Sequence, residues 1–229
     1  PISSDLATMR PSILPNLLAA ADRNLNHSVG DIALFEVGPQ YADDSPEGQA
    51  TVAAGLRVGD NGPRDWSASS RPADAFDAKA DALALLDAMG APTGNLQVSM
   101  DAPDWYHPGR SGSLRLGPNV IAWFGEIHPA VLADLDIKAG AVGCEVFLDR
   151  VPLPKAKRGG HGKPMLTPSP FQLVTRDFAF IVDRAVTAES LLRAAKGADK
   201  ALITAVGLFD EYQGKGIADD KKSLAIWVT

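Results

Sequence analysis

One cysteine, four histidines and no long apolar run set the first limits on this 229-residue chain. With Cys144 alone, no internal disulfide can form, and no paired cysteines offer thiolates to a structural metal. No stretch approaches the ~20 apolar residues that span a bilayer, and no basic-then-apolar signal segment opens the chain. These absences point to a cytoplasmic protein with no membrane partner. Positive charge is scarce too: 22 Lys+Arg face 28 Asp+Glu, a net charge of −6. Generic nucleic-acid binders are basic, so a broad electrostatic footprint, and with it a DNA partner, is excluded. The sequence also lacks an H-E-x-x-H pair, a P-loop and a G-x-G-x-x-G fingerprint, and it shows no internal repeat.

What charge there is falls unevenly. Residues 1–154 carry 10 Lys+Arg and 20 Asp+Glu. Residues 155–167 carry four positive charges and no negative one, and residues 168–229 carry eight of each. Pro154, Lys155, Lys157, Arg158, Gly159, Gly160, His161, Gly162, Lys163 and Pro164 have linker composition. The chain therefore reads as a first domain over 1–154, a basic Gly/Pro linker over 155–167, and a second domain over 168–229. Any RNA contact by the balanced second domain is local, made with bases and a few charges.

In the first domain, Leu14, Leu17, Leu18, Ala21 and Leu25 recur at helical spacing. A strand follows over 31–37, punctuated by Gly38-Pro39, and a second over 51–58. Residues 60–72, rich in Gly, Pro, Ser and charge, read as a surface excursion. The spacing predicts a helix over 73–89 with Phe76, Ala80, Leu83 and Leu86 as its apolar stripe and Gly90 as its stop. Strand-like pieces at 96–100, 113–116, 120–125 and 142–148, with a short helix from Pro129, indicate an antiparallel sheet with helices on one side, an α+β unit.

The second domain opens on a run in which Phe178, Phe180 and Val182 share one strand face and Ala179 and Ile181 the other. Thr187 caps a helix carrying Glu189, Leu191, Leu192, Ala195 and Ala198. Strand-like runs at 201–212 and 223–228 complete β-α-β-β, the opening of a split βαβ, ferredoxin-like sandwich.

Few residues invite catalysis. His107 and His128 lie near Asp101, Asp104 and Glu126, but at no metal-ligand spacing, and each precedes a proline, which favours a turn. His107-Pro108-Gly109-Arg110-Ser111 reads either as an anion loop or as a tight turn into a strand, with Arg110 in an ion pair. Tyr212 reads either as a half-buried strand-end tyrosine or as a platform for an unpaired base. No nucleophile, base and orienting group can be named together.

Val174-Thr175-Arg176-Asp177-Phe178-Ala179-Phe180, Leu208-Phe209-Asp210-Glu211-Tyr212-Gln213-Gly214 and Lys222-Ser223-Leu224-Ala225 resemble, in order and spacing, the ferredoxin-fold anticodon-binding domain that ends the β subunit of bacterial phenylalanyl-tRNA synthetase. The segment 1–12, together with Ala33-Leu34-Phe35-Glu36-Val37-Gly38, His107-Pro108-Gly109-Arg110-Ser111 and Trp123-Phe124-Gly125-Glu126-Ile127-His128-Pro129, is similar to that subunit's noncatalytic copy of the class II synthetase fold. The resemblance covers essentially the whole chain. It implies the C-terminal portion of the β subunit, cut at both ends. Such a cut would leave the ferredoxin-like unit with an uncovered sheet edge and bare core side chains. It also implies anticodon contacts at Ala179, Asp210, Tyr212 and Ser223, with no catalytic and no metal-binding residue. The implied partners are the catalytic α subunit, in an α2β2 assembly, and tRNA(Phe). The holoenzyme joins phenylalanine to tRNA using ATP and magnesium; the fragment itself binds neither. The class II triphosphate clamp is missing here: Arg23 is the only arginine between Leu18 and Phe35, and no Gly-x-Gly-x-Gly-Arg run lies near residues 142–148. Two other readings are a protein-interaction scaffold that does not read RNA and an unrelated α+β hydrolase using His107 or His128.

Overall fold

Leu14, Leu17, Leu18 and Ala21 fall on one stripe of helix α1 (Leu14–Asn26), and burying that stripe against a sheet fixes the first layer of the structure. The computed structural model describes residues 7–62, 66, 69–152, 165 and 168–229; most of the basic Gly/Pro segment lies outside them. The chain divides into two compact units, Pro1–Ala156 and Lys157–Thr229.

Unit 1 is built on strands β1 (Ile32–Tyr41), β2 (Gln49–Val58), β3 (Gln97–Ser99), β4 (Tyr106–Leu116), β5 (Asn119–Ile127) and β6 (Ala141–Phe147). They form one antiparallel sheet in the order β1-β2-β6-β5-β4-β3. Helix α2 (Ala75–Ala88) and the short α3 (Pro129–Asp134) complete the unit. The helices do not lie on one side, as the order of elements suggests. Alternate residues of β6 join different cores: Ala141 and Phe147 pack with α1, whereas Val142, Cys144 and Val146 pack with Ala78, Ala82 and Leu86 of α2. Every residue of β6 is buried, so both faces of this central strand need cover.

Three local readings change with the fold. The buried stripe of α2 is Ala78, Ala82 and Leu86, while Phe76 is 75% exposed and Ala80 faces solvent. Small residues let this helix sit close to the sheet, so the large ring at its first turn is not the anchor. Asp74 caps α2 with a reciprocal box: its carboxylate accepts from the Asp77 amide, and that of Asp77 from the Asp74 amide. Next, β1 runs straight through Gly38-Pro39 to Tyr41, pairing Pro39 with Thr51. It can do so because β1 is an edge strand, where a missing N–H costs no ladder bond. Lastly, His107-Pro108-Gly109-Arg110 does not precede a strand but bulges out from within β4. Five residue steps from Tyr106 to Ser111 oppose two steps from Ile127 to Gly125. Gly125 is needed there: its φ is +151°, and a β-carbon would collide with the Ser111 backbone.

Unit 2 comprises β7 (Arg176–Asp183), α4 (Ala188–Ala198), β8 (Val206–Tyr212) and β9 (Lys221–Val228), with β9 central between β7 and β8 and all pairs antiparallel. Thr187 caps α4 by accepting from the Ser190 amide. Strand β8 begins at Val206 and not at residue 201, because the Asp199 carboxylate accepts from the amides of Ala201 and Leu202 and holds a turn there. Leu224 and Ile226 are buried on the α4 side of the sheet. On the same face Phe178 and Phe180 of β7 remain 48% and 40% exposed, their rings 6.4 Å apart.

Candidate nucleic-acid interface

In an antiparallel pair, residues directly opposite one another project to the same side of the sheet. The registers of unit 2 therefore define its two faces. One row is Phe178–Ile226–Leu208, and it faces α4. The next row is Ala179–Ala225–Asp210, and the one beyond Leu224 is Ile181–Ser223–Tyr212. Both of these face away from the helix. All four residues singled out in the sequence, Ala179, Asp210, Tyr212 and Ser223, thus stand on one open sheet surface in two adjacent rows drawn from three strands.

A single irregularity makes this possible. Leu208 and Asp210 are two apart, so in a regular strand they would share a face. Between them the register shifts: Leu208 opposes Ile226 but Asp210 opposes Ala225. Phe209 is the extra residue, and it flips the parity so that Leu208, itself 37% exposed, stands on the Ile226 side and Asp210 on the open side. Alternation alone does not reveal this bulge.

The side chains around the surface are held in place. Tyr212, 45% exposed, donates its hydroxyl to the Lys215 carbonyl at 3.2 Å, which folds the 213–216 turn back on its ring. Gly214 lies under that ring, where a β-carbon would sit 2.8 Å from the phenol oxygen. Arg184 donates to the Gln213 side-chain oxygen at 2.7 Å, and Gln213 donates onward to Glu211 at 2.9 Å. Lys221 pairs with Asp183 at the rim; the hydrogen bond to that carboxylate raises the lysine's pKa, so it stays charged. Ala179 and Ala225 present only methyl groups, leaving a shallow floor. Ile181, 66% exposed beside Ser223, is an apolar contributor to this face whose strand position was legible but whose role was not. The arrangement can receive a planar base: a ring to stack on, an acidic acceptor, a hydroxyl, and a floor without obstruction.

Unit 1 offers no comparable chemistry. The His107 Nδ1 accepts from the Gly109 amide and that of His128 from the Ala130 amide, each at 3.1 Å, so both rings serve local turns. Arg110 pairs with Glu126 at 2.6 Å. Among the described residues no group of three or more His, Cys, Asp or Glu could hold a metal ion. No helix among them is long and apolar enough to cross a membrane. A buried carboxylate does occur: Glu145 accepts from Ser12 Oγ at 2.6 Å, Tyr106 Oη at 3.1 Å and Trp105 Nε1 at 3.2 Å. It is fully enclosed, and its partners lie 133, 39 and 40 positions away, so sequence reading had no signal for it.

Known families match both units. Residues 169–229 match the family described as "Ferredoxin-fold anticodon binding domain", and residues 1–148 that described as "Phenylalanyl tRNA synthetase beta chain CLM domain". A ferredoxin-fold unit of that family following such a domain defines a component of an aminoacyl-tRNA synthetase. More narrowly, the chain belongs to the phenylalanyl-tRNA synthetase β-chain family. A phenylalanine–tRNA ligase β subunit of Rhodospirillum rubrum is 58% identical over 229 residues, covering all of this chain and 28% of that protein. One of Mesorhizobium japonicum is 52% identical over 234 residues, covering all of this chain and 29% of that protein. The chain thus spans under a third of the length of the curated relatives it matches. Among solved structures, a pyrrolysyl-tRNA synthetase of Desulfitobacterium hafniense aligns at a TM-score of 0.42 and 16% identity, over 62% of this chain and 48% of that one.

Proposed function

We propose that unit 2 reads the anticodon of tRNA(Phe) through Ala179, Asp210, Tyr212 and Ser223. In this reading unit 1 is a noncatalytic scaffold that packs on the catalytic α subunit of an α2β2 phenylalanine–tRNA ligase. The observation that carries the proposal is the pair of rows Ala179–Ala225–Asp210 and Ile181–Ser223–Tyr212 on one open face. Tyr212 stacks under a base, Asp210 accepts from a base amino group, and Ser223 bonds the base edge. Bond making, with ATP and Mg2+, belongs to the α subunit in the cytoplasm; this chain assembles and positions.

The packing role has its own support in unit 1. Phe35 and Val37 on edge strand β1 are 82% and 55% exposed. They border a cleft of about 390 Å3 with Leu85, Cys144 and the bidentate Arg57–Asp81 pair. An apolar strip of this kind on an edge strand fits a partner protein better than water.

The test is steady-state aminoacylation by the assembled enzyme carrying Tyr212→Ala. Losing a base-stacking platform costs ~1–3 kcal/mol, so kcat/KM for tRNA falls on the order of 10- to 100-fold. ATP-dependent activation of phenylalanine stays unchanged. If both steps are untouched, the anticodon role is wrong; if both collapse, Tyr212 supports folding or assembly instead.

A further inference from the structure

The open face of unit 2 holds a second aromatic that neither the resemblance nor the matched families assign. Trp227 opposes Asp177 on one side and Gly207 on the other. It therefore projects to the same side as Ala225, Ser223, Asp210 and Tyr212. Gly207 is what admits it: a β-carbon there would overlap indole atoms Cε2 and Cζ2 and lie 2.7 Å from Nε1. The indole therefore lies over the Gly207 backbone on the open side of the sheet, and the residue is only partly buried.

Position along the sheet gives this ring a use. Four residue steps on β9 separate Trp227 from Ser223, whose row carries Tyr212, a separation of roughly 13 Å at the rise of a β-strand. Midway lies the row Ala179–Ala225–Asp210, whose two methyl groups leave the floor open. Two aromatics on the open side of the sheet, with an acidic acceptor between them, make a trough longer than one base. Since β8 bears Gly207, Asp210 and Tyr212 in turn, the trough follows one strand, as a nucleotide chain would follow it.

We propose that Trp227, seated on Gly207, is a second stacking platform, holding an unpaired base that neighbours the one on Tyr212. The inference rests on the anticodon reading above. Stacking on an aromatic is tolerant of base identity, so Trp227 adds affinity and fixes the path of the strand, while Asp210 and Ser223 discriminate.

The experiment measures binding of tRNA(Phe) to the assembled enzyme with Tyr212→Ala, Trp227→Ala and Gly207→Ala. It uses intact tRNA and tRNAs carrying a single abasic nucleotide at each anticodon-loop position beside the Tyr212-dependent one. Trp227→Ala weakens intact tRNA roughly 5- to 100-fold. Gly207→Ala, which keeps the indole but lifts it off the sheet, also weakens binding, and adds nothing on top of Trp227→Ala. With one of the abasic tRNAs the Trp227→Ala effect disappears. If Trp227→Ala lowers affinity equally for every abasic tRNA, the ring is structural and the inference is overturned. If Tyr212→Ala weakens binding while Trp227→Ala and Gly207→Ala do not, the inference fails and the anticodon reading stands. If none of the three weakens binding, the anticodon reading fails with it.

Discussion

Glu145 is a buried carboxylate that unit 1 holds only by pairing it. A carboxyl group with no solvent exposure holds its place only through Ser12, Tyr106 and Trp105, which all donate to it. Removing it in Glu145→Ala orphans two buried donors, Ser12 and Tyr106, and the partly buried Trp105 indole, and each buried donor left unpaired costs about 1–3 kcal/mol. The variant is expected to lose at least ~2 kcal/mol of unfolding free energy in denaturant titration. Burial pushes the Glu145 carboxyl above its ordinary range, against the pull of its three donors. A folded state that prefers the protonated acid gains stability from it in acid. That gain is lost as pH rises from the ordinary carboxylate range through the raised value. Relative to Glu145→Gln, which does not titrate, the wild-type chain should therefore lose stability as pH climbs over that window. A difference that stays constant with pH would show that burial does not perturb the group.

Among the elements, β8 carries two of the four proposed contact residues, Asp210 and Tyr212, and Phe209 sets which side they face. With the bulge, Leu208 shares the side of Ile226, and Asp210 and Tyr212 share the opposite, open side. In a regular ladder that kept Phe209, a period of two would put Leu208, Asp210 and Tyr212 on one side. Deleting Phe209 makes Leu208 and Asp210 strand neighbours, and simple alternation then keeps Leu208 toward α4 and Asp210 and Tyr212 outward; aminoacylation kcat/KM for tRNA is therefore expected to survive this deletion, unlike Tyr212→Ala. A loss as large as that of Tyr212→Ala would mean that Phe209 does more than set the parity of the strand. The excursion in β4 is the same kind of device: it lets Arg110 swing out to Glu126 while Ser111 returns to the ladder opposite Gly125.

For the whole molecule, the division of charge and of exposed apolar surface suggests a division of labour. The acidic first domain has no broad positive field to offer RNA, but it carries the exposed Phe35–Val37 strip. The charge-balanced second domain carries the open face with its aromatic rings. Phe35→Asp, on an exposed position of an edge strand, is expected to leave the fold of the chain intact. It should weaken association with the α subunit by at least ~10-fold, since a charge replaces a large apolar contact in a desolvated interface. Size-exclusion chromatography or sedimentation of the mixed subunits reads this directly, and undiminished assembly would place the α-binding surface elsewhere.

By itself the sequence determined the local elements. Helical spacing marked α1 and α4, alternation marked β7 and β9, and Gly/Pro-rich basic residues marked the segment between two domains of unlike charge. Three short blocks around Asp177, Tyr212 and Ser223 carried the resemblance to an anticodon-binding domain, because short-range patterns record which side chains share a helix stripe or a strand face. Only the tertiary structure decided what lies opposite what. It put α1 and α2 on opposite faces of one sheet, buried Ala78 and Ala82 in place of Phe76 and Ala80, and gathered the donors of Glu145 from distant positions. It also set the cross-strand rows that bring Ala179, Asp210, Tyr212 and Ser223 together and lay Trp227 on Gly207. These are outcomes of pairing register and close packing between segments far apart in the chain, and no window of neighbouring residues contains them.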